Sequence, residues 1–171
     1  MVNTDSGSYD KKGVDHVGDI LKDFFASEGL ELETTPHATY GEAIRATLPH
    51  AAANDQRPIV LMGHRDTVFP KGEAGRRPFR IDGDRAYGPG VADMKAGLVM
   101  NAFVLEAFKR FGGNPAPLAG LITSDEEIAS PSSRPVIERV AREARAVFNS
   151  EPGRPTGNVV TGRKGGVFMK L

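Results

Sequence analysis

The chain has 171 residues, 39% of them hydrophobic and 26% charged, which suits one compact α/β domain and leaves little room for a second. Its 22 basic side chains balance 22 acidic ones, so no nucleic-acid footprint is expected, and the longest apolar runs fall far short of a membrane span. Cysteine is absent, which excludes disulfides, thiolate metal ligands and cysteine nucleophiles, and leaves His, Asp and Glu for any metal work.

The polar opening MVNTDSGSYDKKG holds no apolar core of a signal peptide, and a cytoplasmic location is the expectation. From Lys12 to Glu28 the residues Val14, Val17, Ile20, Leu21, Phe24 and Phe25 recur at three- and four-residue steps, an amphipathic helix stopped by Gly29. Residues 42–48 alternate like a strand with one wet face, and the loop 54–58 feeds a fully apolar strand over 59–63. A hairpin is predicted from the pieces Phe79–Ile81 and Arg85–Tyr87 around Asp82-Gly83-Asp84. Asp93 to Phe111 reads as the longest helix, with Leu98, Ala102, Leu105 and Phe108 on one stripe and Gly112-Gly113 ending it. Leu118–Thr123 is a second buried strand, a helix follows from Pro135 to about Arg145, and 146–149 is a further short strand.

This alternation of strands and helices after residue 58 predicts crossover units and a largely parallel sheet covered on both faces. Ligands of such sheets collect where strands end at their carboxyl edge. His64 with Asp66, Asp93, Glu126 with Glu127, and Glu151 all fall just past predicted strand ends or at a helix start. The His-x-Asp step puts both side chains on one side of an extended chain, so Asp66 can hold the second ring nitrogen of a ligating His64. Each residue has an ordinary alternative: a satisfied loop histidine, an N-cap for Asp93, solvated acids for Glu126 and Glu127, a loop acid for Glu151. One di-metal site explains all of them together, with one glutamate binding metal while its neighbour handles a water. Gly88-Pro89-Gly90-Val91-Ala92-Asp93 is a poor dinucleotide loop, because Asp93 replaces the third glycine and would repel a pyrophosphate. His16, His37 and His50 read as surface residues.

The segments GHRDTVFP (63–70), YGPGVADMKAG (87–97), TSDEEIASPSSR (123–134) and NSEP (149–152) resemble the successive motifs of the di-zinc metallopeptidase family that holds glutamate carboxypeptidase, aminoacylase, acetylornithine deacetylase and succinyl-diaminopimelate desuccinylase. The wording, with NTDSGSYDKKGVD at the start, is most similar to the glutamate carboxypeptidase branch. The resemblance implies a truncated zinc-exopeptidase-like catalytic domain over 1–171, a mixed, largely parallel sheet with helices on both faces. The lid or dimerisation domain and the C-terminal half of the catalytic domain would be absent, and with them a final histidine ligand. It implies two zinc ions, with cobalt or manganese as substitutes: His64 and Glu151 on one, Glu127 on the other, Asp93 bridging, and Asp66 behind His64. Glu126 would be the general base acting on a metal-bridging water, and the Asp93–Met94 peptide would be cis. The implied reaction is amide hydrolysis in a small peptide or N-acyl amino acid, carboxypeptidase-like, by a full-length homodimer with no nucleic-acid or membrane partner. N-acyl amino acid deacylation is the alternative chemistry, and a non-catalytic metal-binding or assembly fragment is the alternative for this chain, whose own activity is expected to be weak or nil.

Overall fold

The computed structural model describes residues 1–158 together with 161, 162, 165 and 169. Helix α1 (Lys11–Ser27) starts where the Asp10 carboxylate accepts the Gly13 N–H and ends at Gly29, whose φ of 69° lets Leu30 N–H reach back to Phe25. Strands β1 (Glu31–Thr35) and β2 (Ala43–Leu48) follow as an antiparallel pair, then β3 (Ile59–His64). After the one-turn helix α2 (Glu73–Arg76) come the hairpin β4 (Arg80–Asp82) and β5 (Arg85–Tyr87), helix α3 (Ala96–Phe111), strand β6 (Leu118–Thr123), helix α4 (Arg134–Glu143) and strand β7 (Ala146–Asn149).

The sheet is mixed, in the order β1-β2-β6-β3-β7. Parallel pairing joins β6, β3 and β7, while β2 and β1 extend the sheet antiparallel on the β6 side. Side-chain alternation splits the core into two layers. Ile44, Ala46, Leu48, Leu118 and Ile122 pack under Leu21 and Phe25 of α1 and Leu98, Ala102 and Leu105 of α3. Ala43, Val60, Ala119 and Leu121 face Val136 and Val140 of α4 on the opposite side. Helices thus cover both faces, and the face of β2 expected to be wet is half-covered: Arg45 lies under α4 with its guanidinium 3.7 Å from Glu143.

Two departures from the sequence reading are local. The regular helix begins at Ala96, because Val91–Lys95 forms an irregular turn in which Asp93 and Met94 leave helical geometry across a cis peptide bond. Strand β1, Glu-Leu-Glu-Thr-Thr, has no apolar alternation and is exposed along nearly its whole length, so only its ladder to β2 reveals it.

Three ties hold the carboxyl edge of the parallel strands. Arg65, fully buried just past β3, donates from Nε to the Val14 carbonyl at 2.9 Å and from its terminal nitrogens to the carbonyls of Thr123 at 3.3 Å and Glu42 at 2.5 Å, with Asp15 3.5 Å away as counter-charge. Asn101 of α3 donates to the Met62 carbonyl at 3.3 Å and accepts the Ser150 hydroxyl at 2.6 Å, fixing the turn after β7. Gly97 is where that turn touches α3: a Cβ there would sit 2.2 Å from the Ser150 carbonyl oxygen. The buried Lys95 ammonium donates to the carbonyls of Met1 and Thr4, pinning the first residues against the same region.

Leu105, fully buried between α3 and the sheet, measures the worth of the first layer. Leu105→Ala should lower the unfolding free energy by about 3 kcal/mol in urea titration, and a loss under about 1 kcal/mol would show that α3 is not packed as described.

Candidate metal centre

His64 is the last residue of β3, and the register places it beside Thr123, the last residue of β6. Just beyond lie Glu126 and Glu127, in the 3₁₀ turn Glu126–Ile128, while Glu151 follows β7 and Asp93 sits in the turn before α3. Parallel strands ending in register thus deliver residues from distant parts of the sequence to one edge. Asp93 Oδ1 and Glu151 Oε1 each stand 3.2 Å from His64 Nε2, and Glu126 Oε2 stands 3.6 Å from it. Ligand atoms of His64, Asp93 and Glu127 lie within 4.8 Å of one another, as do those of His64, Glu126 and Glu151. Every residue singled out at strand ends is therefore in the cluster. These groupings cut across the division of labour implied by the resemblance, since Glu126 stands among the metal-competent oxygens.

Asp66 is wholly buried and organises the rest. Its Oδ1 lies 3.2 Å from His64 Nδ1 and accepts the Glu126 N–H at 3.2 Å; its Oδ2 accepts the Ser8 hydroxyl at 2.7 Å and the Glu127 N–H at 3.2 Å. One carboxylate thus aims the imidazole and anchors the turn that presents both glutamates. With Nδ1 engaged on Asp66, Nε2 is the nitrogen turned to the acids. Ser8 is reached through the N-terminal segment, where Thr67 N–H donates to the Ser6 carbonyl at 2.8 Å and Gly7 bridges to Thr67.

Sequence reasoning did not single out Ser8, Arg65, Asn101 or the double contact of Asp66 with the 126–127 backbone. Arg65 alone had a local signal, because the same period-two alternation that pairs His64 with Asp66 turns residue 65 the other way. Asp125, inside the acidic run, is structural: its carboxylate is buried and accepts from the backbone and hydroxyls of Ser132 and Ser133. His16 and His37 are exposed and His50 is half-buried, and none of them joins the cluster.

The electrostatics are those of a site that wants a cation. The His64 side chain is 2% exposed, while Asp93, Glu126 and Glu151 are 55%, 47% and 35% exposed. Burial pulls the imidazole down from its ordinary 6.5, but the hydrogen bond and charge of Asp66 and the charges of Glu151 and Glu126 outweigh it and push His64 up to about 9. Burial, and then the charge of Asp93, push Glu127 up to about 7, and burial raises Glu151 as well. For Asp66 burial acts upward, yet the hydrogen bonds from His64 and Ser8 prevail and hold it below the usual carboxylate range. Protons in the metal-free chain hold together what a divalent ion would hold better. A donor set of one imidazole and several carboxylates, all nitrogen and oxygen, fits zinc and also cobalt or manganese.

The sign of the pH dependence follows from these shifts. Glu127, raised from 4.5 to about 7, and His64, raised from 6.5 to about 9, bind protons more tightly when folded, so their contributions are full at low pH and are lost as pH rises through those windows. Asp66, lowered from 3.8, contributes above that value and fails as pH falls. In excess chelator the chain should lose stability between about pH 5 and about pH 9, and His64→Gln should remove the upper part of that loss. A flat chelator profile by urea unfolding would contradict the cluster as described.

Comparison with known proteins gives the family and the fold. Residues 60–164 match the model of "Peptidase family M20/M25/M40". Carboxypeptidase G2 of Pseudomonas sp. (strain RS-16) is 32% identical over 155 residues, covering 89% of this chain and 37% of that protein. A succinyl-diaminopimelate desuccinylase of Gluconobacter oxydans is 35% identical over 153 residues, covering 81% of this chain and 39% of its own length. This chain therefore spans well under half the length of these relatives. Among solved structures, the M20 family metallo-carboxypeptidase Sso-CP2 from Sulfolobus solfataricus superposes with a TM-score of 0.73 at 19% identity, over 91% of this chain and 37% of that one. Human carnosine dipeptidase 1 does so with a TM-score of 0.69 at 15% identity, over 86% and 36%. At these identities the structural matches show a shared fold.

Proposed function

This chain belongs to Peptidase family M20/M25/M40, and we propose that it is the part of a metal-dependent catalytic domain that carries most of a two-metal site for amide hydrolysis. The observation that carries the reading is the convergence of Asp93, Glu126, Glu127 and Glu151 on the buried imidazole of His64, itself oriented by Asp66. His64 and Glu151 would hold one metal, Glu127 the other, and Asp93 both. When bound, the metals would polarise the scissile carbonyl and make a water acidic enough to attack it near neutral pH.

The residues supply the remaining chemistry. Glu126 takes a proton from the attacking water and returns it to the leaving nitrogen as the carbon–nitrogen bond breaks, so acid and amine are released with atoms balanced. Its partial exposure suits that traffic, since a base must meet both water and substrate. Asp66 keeps His64 in one tautomer and, through the backbone of Glu126 and Glu127, keeps base and ligand in register with it. The substrate class is a small peptide or N-acyl amino acid, with carboxypeptidase action of the kind named for the Pseudomonas relative. The desuccinylase relatives support N-acyl amino acid deacylation as the second reading. On this reading the lid or dimerisation domain, the rest of the catalytic domain and a final histidine ligand would belong to a larger unit, which the greater length of the relatives supports.

Zinc content by elemental analysis after gel filtration tests the site. The wild-type chain should retain zinc, Asp93→Ala should retain clearly less, and Glu126→Gln should keep it while abolishing any turnover of N-acyl amino acids. Unchanged zinc in Asp93→Ala would contradict the bridging assignment, and residual turnover in Glu126→Gln would contradict the assignment of the base.

A further inference from the structure

A cleft of about 580 Å³ lies between α2, the β4–β5 hairpin and the turn that leads into α3. The guanidinium groups of Arg76, Arg77 and Arg80 line it, and among the described residues no carboxylate does. Neither His64 nor any acid of the metal cluster reaches its walls, so the hydrolytic site makes no use of it. Residues 71–87 carry five basic side chains and three acidic ones in a chain of zero net charge, so positive charge is concentrated on this segment.

The arginines are held in place before any ligand arrives. The nearly buried Glu73 accepts Arg76 at 2.8 and 2.6 Å and the Arg77 Nε–H as well, so one negative charge serves two positive ones. Arg77 also lies over the Phe69 ring, 4.8 Å from its centroid. Arg80 stacks on Tyr87, its partner across the hairpin, 4.0 Å from the ring centroid, and donates from Nη1 to Asp82 at 3.2 Å. Arg77 thus spends only Nε and Arg80 only Nη1 on hydrogen bonds to described residues, which leaves the rest of each donor fork to a ligand. The support is fixed in turn: Asp5 accepts the Gly72 and Ala74 N–H groups at 2.6 and 2.8 Å, and the Asn3 side chain accepts the Phe79 N–H at 2.7 Å.

We propose that this cleft binds a small organic diphosphate, of the class of a nucleoside diphosphate, at a place separate from the metal centre. The inference is independent of the hydrolytic reading. A single carboxylate fills one donor fork, whereas spare donors on three guanidiniums call for an anion with several oxygens and more than one charge. Pro78, Ala86, Val91 and Ala92 add apolar wall for the body of the ligand to cover, and the volume falls in the range of small-molecule sites, about 300–1,000 Å³. The neighbouring acids set the orientation. Asp93 follows Ala92 directly and repels phosphate from the turn before α3, so the phosphates lie against the arginines and the organic body lies along Val91 and Ala92. Asp82, at the hairpin tip, offsets part of the Arg80 charge and leaves Arg76 and Arg77 as the stronger anchor.

The test is calorimetric titration of the full 171-residue chain, stripped of metal and desalted so that no ion in the acid cluster can take up phosphate. The probes are ADP, inorganic pyrophosphate, adenosine and citrate. ADP should bind about tenfold more tightly than pyrophosphate, through the apolar wall, and adenosine and citrate should bind more weakly than either. Arg77→Ala and Arg80→Ala, in separate exposed segments, should each weaken ADP binding about tenfold with the urea midpoint unchanged. Arg77→Lys, which keeps the charge and loses the fork, should recover little of that loss. The proposal is overturned if ADP does not bind, if pyrophosphate, adenosine or citrate binds as tightly as ADP, if both alanine variants bind ADP like the wild type, or if Arg77→Lys retains full affinity. The wild-type ranking of the four probes decides the matter even where a variant fails to fold.

Discussion

One buried carboxylate sets the geometry on which the site depends. Asp66 has no exposure to solvent and is surrounded by donors from three places in the chain: the His64 ring, the Ser8 hydroxyl and the backbone N–H groups of Glu126 and Glu127. A buried charge is tolerated only when its lone pairs are met, and here the groups that meet them are those that must be positioned. Meeting the electrostatic demand of Asp66 therefore assembles the centre: the imidazole is aimed, the glutamate turn is seated at the end of β6, and the N-terminal segment is drawn over both.

The second constraint is the surplus of negative charge around His64. Parallel strands end in register at this edge, and the sheet is held there by Arg65, Asn101 and the close approach at Gly97. The scaffold forces Asp93, Glu126, Glu127 and Glu151 together despite their repulsion, and burial, with the charge of Asp93 adding to it, raises the proton affinities of Glu127 and Glu151. Such crowding works against stability in the metal-free chain and favours a divalent ion, the usual trade of stability for function at a reactive site.

Much of this was legible in the sequence, for identifiable reasons. Ile59–Gly63 and Leu118–Thr123 are apolar without alternation, as central strands covered on both sides must be, and that pattern puts the acids just past them at the sheet edge. The pairing of Asp66 with His64 follows from a two-residue period. The rest depends on partners far apart in the chain. Nothing local tells that the backbone of residues 126 and 127 will donate to residue 66, that Ser8 will complete its shell, or that Asp125 will be buried while its neighbours are not. Strand β1 is stabilised by its ladder rather than by its side chains, and the turn at 91–95 departs from the helical pattern its residues display. For Asp66, Asp125 and β1, hydrogen bonding between distant parts of the chain decides what local tendency does not.

If Asp66 is the organising group, replacing it with an isosteric amide should damage the site without emptying the core. Asp66→Asn keeps the volume, and with its Oδ1 in place can still accept from His64, but it loses the charge and half of the acceptor capacity that four donors share. Zinc affinity of the wild type and of Asp66→Asn, measured by competition with a chromogenic chelator at neutral pH, is the most direct test. The account predicts a loss of about ten- to a hundredfold with unfolding still cooperative. Equal affinity in the two proteins would contradict it.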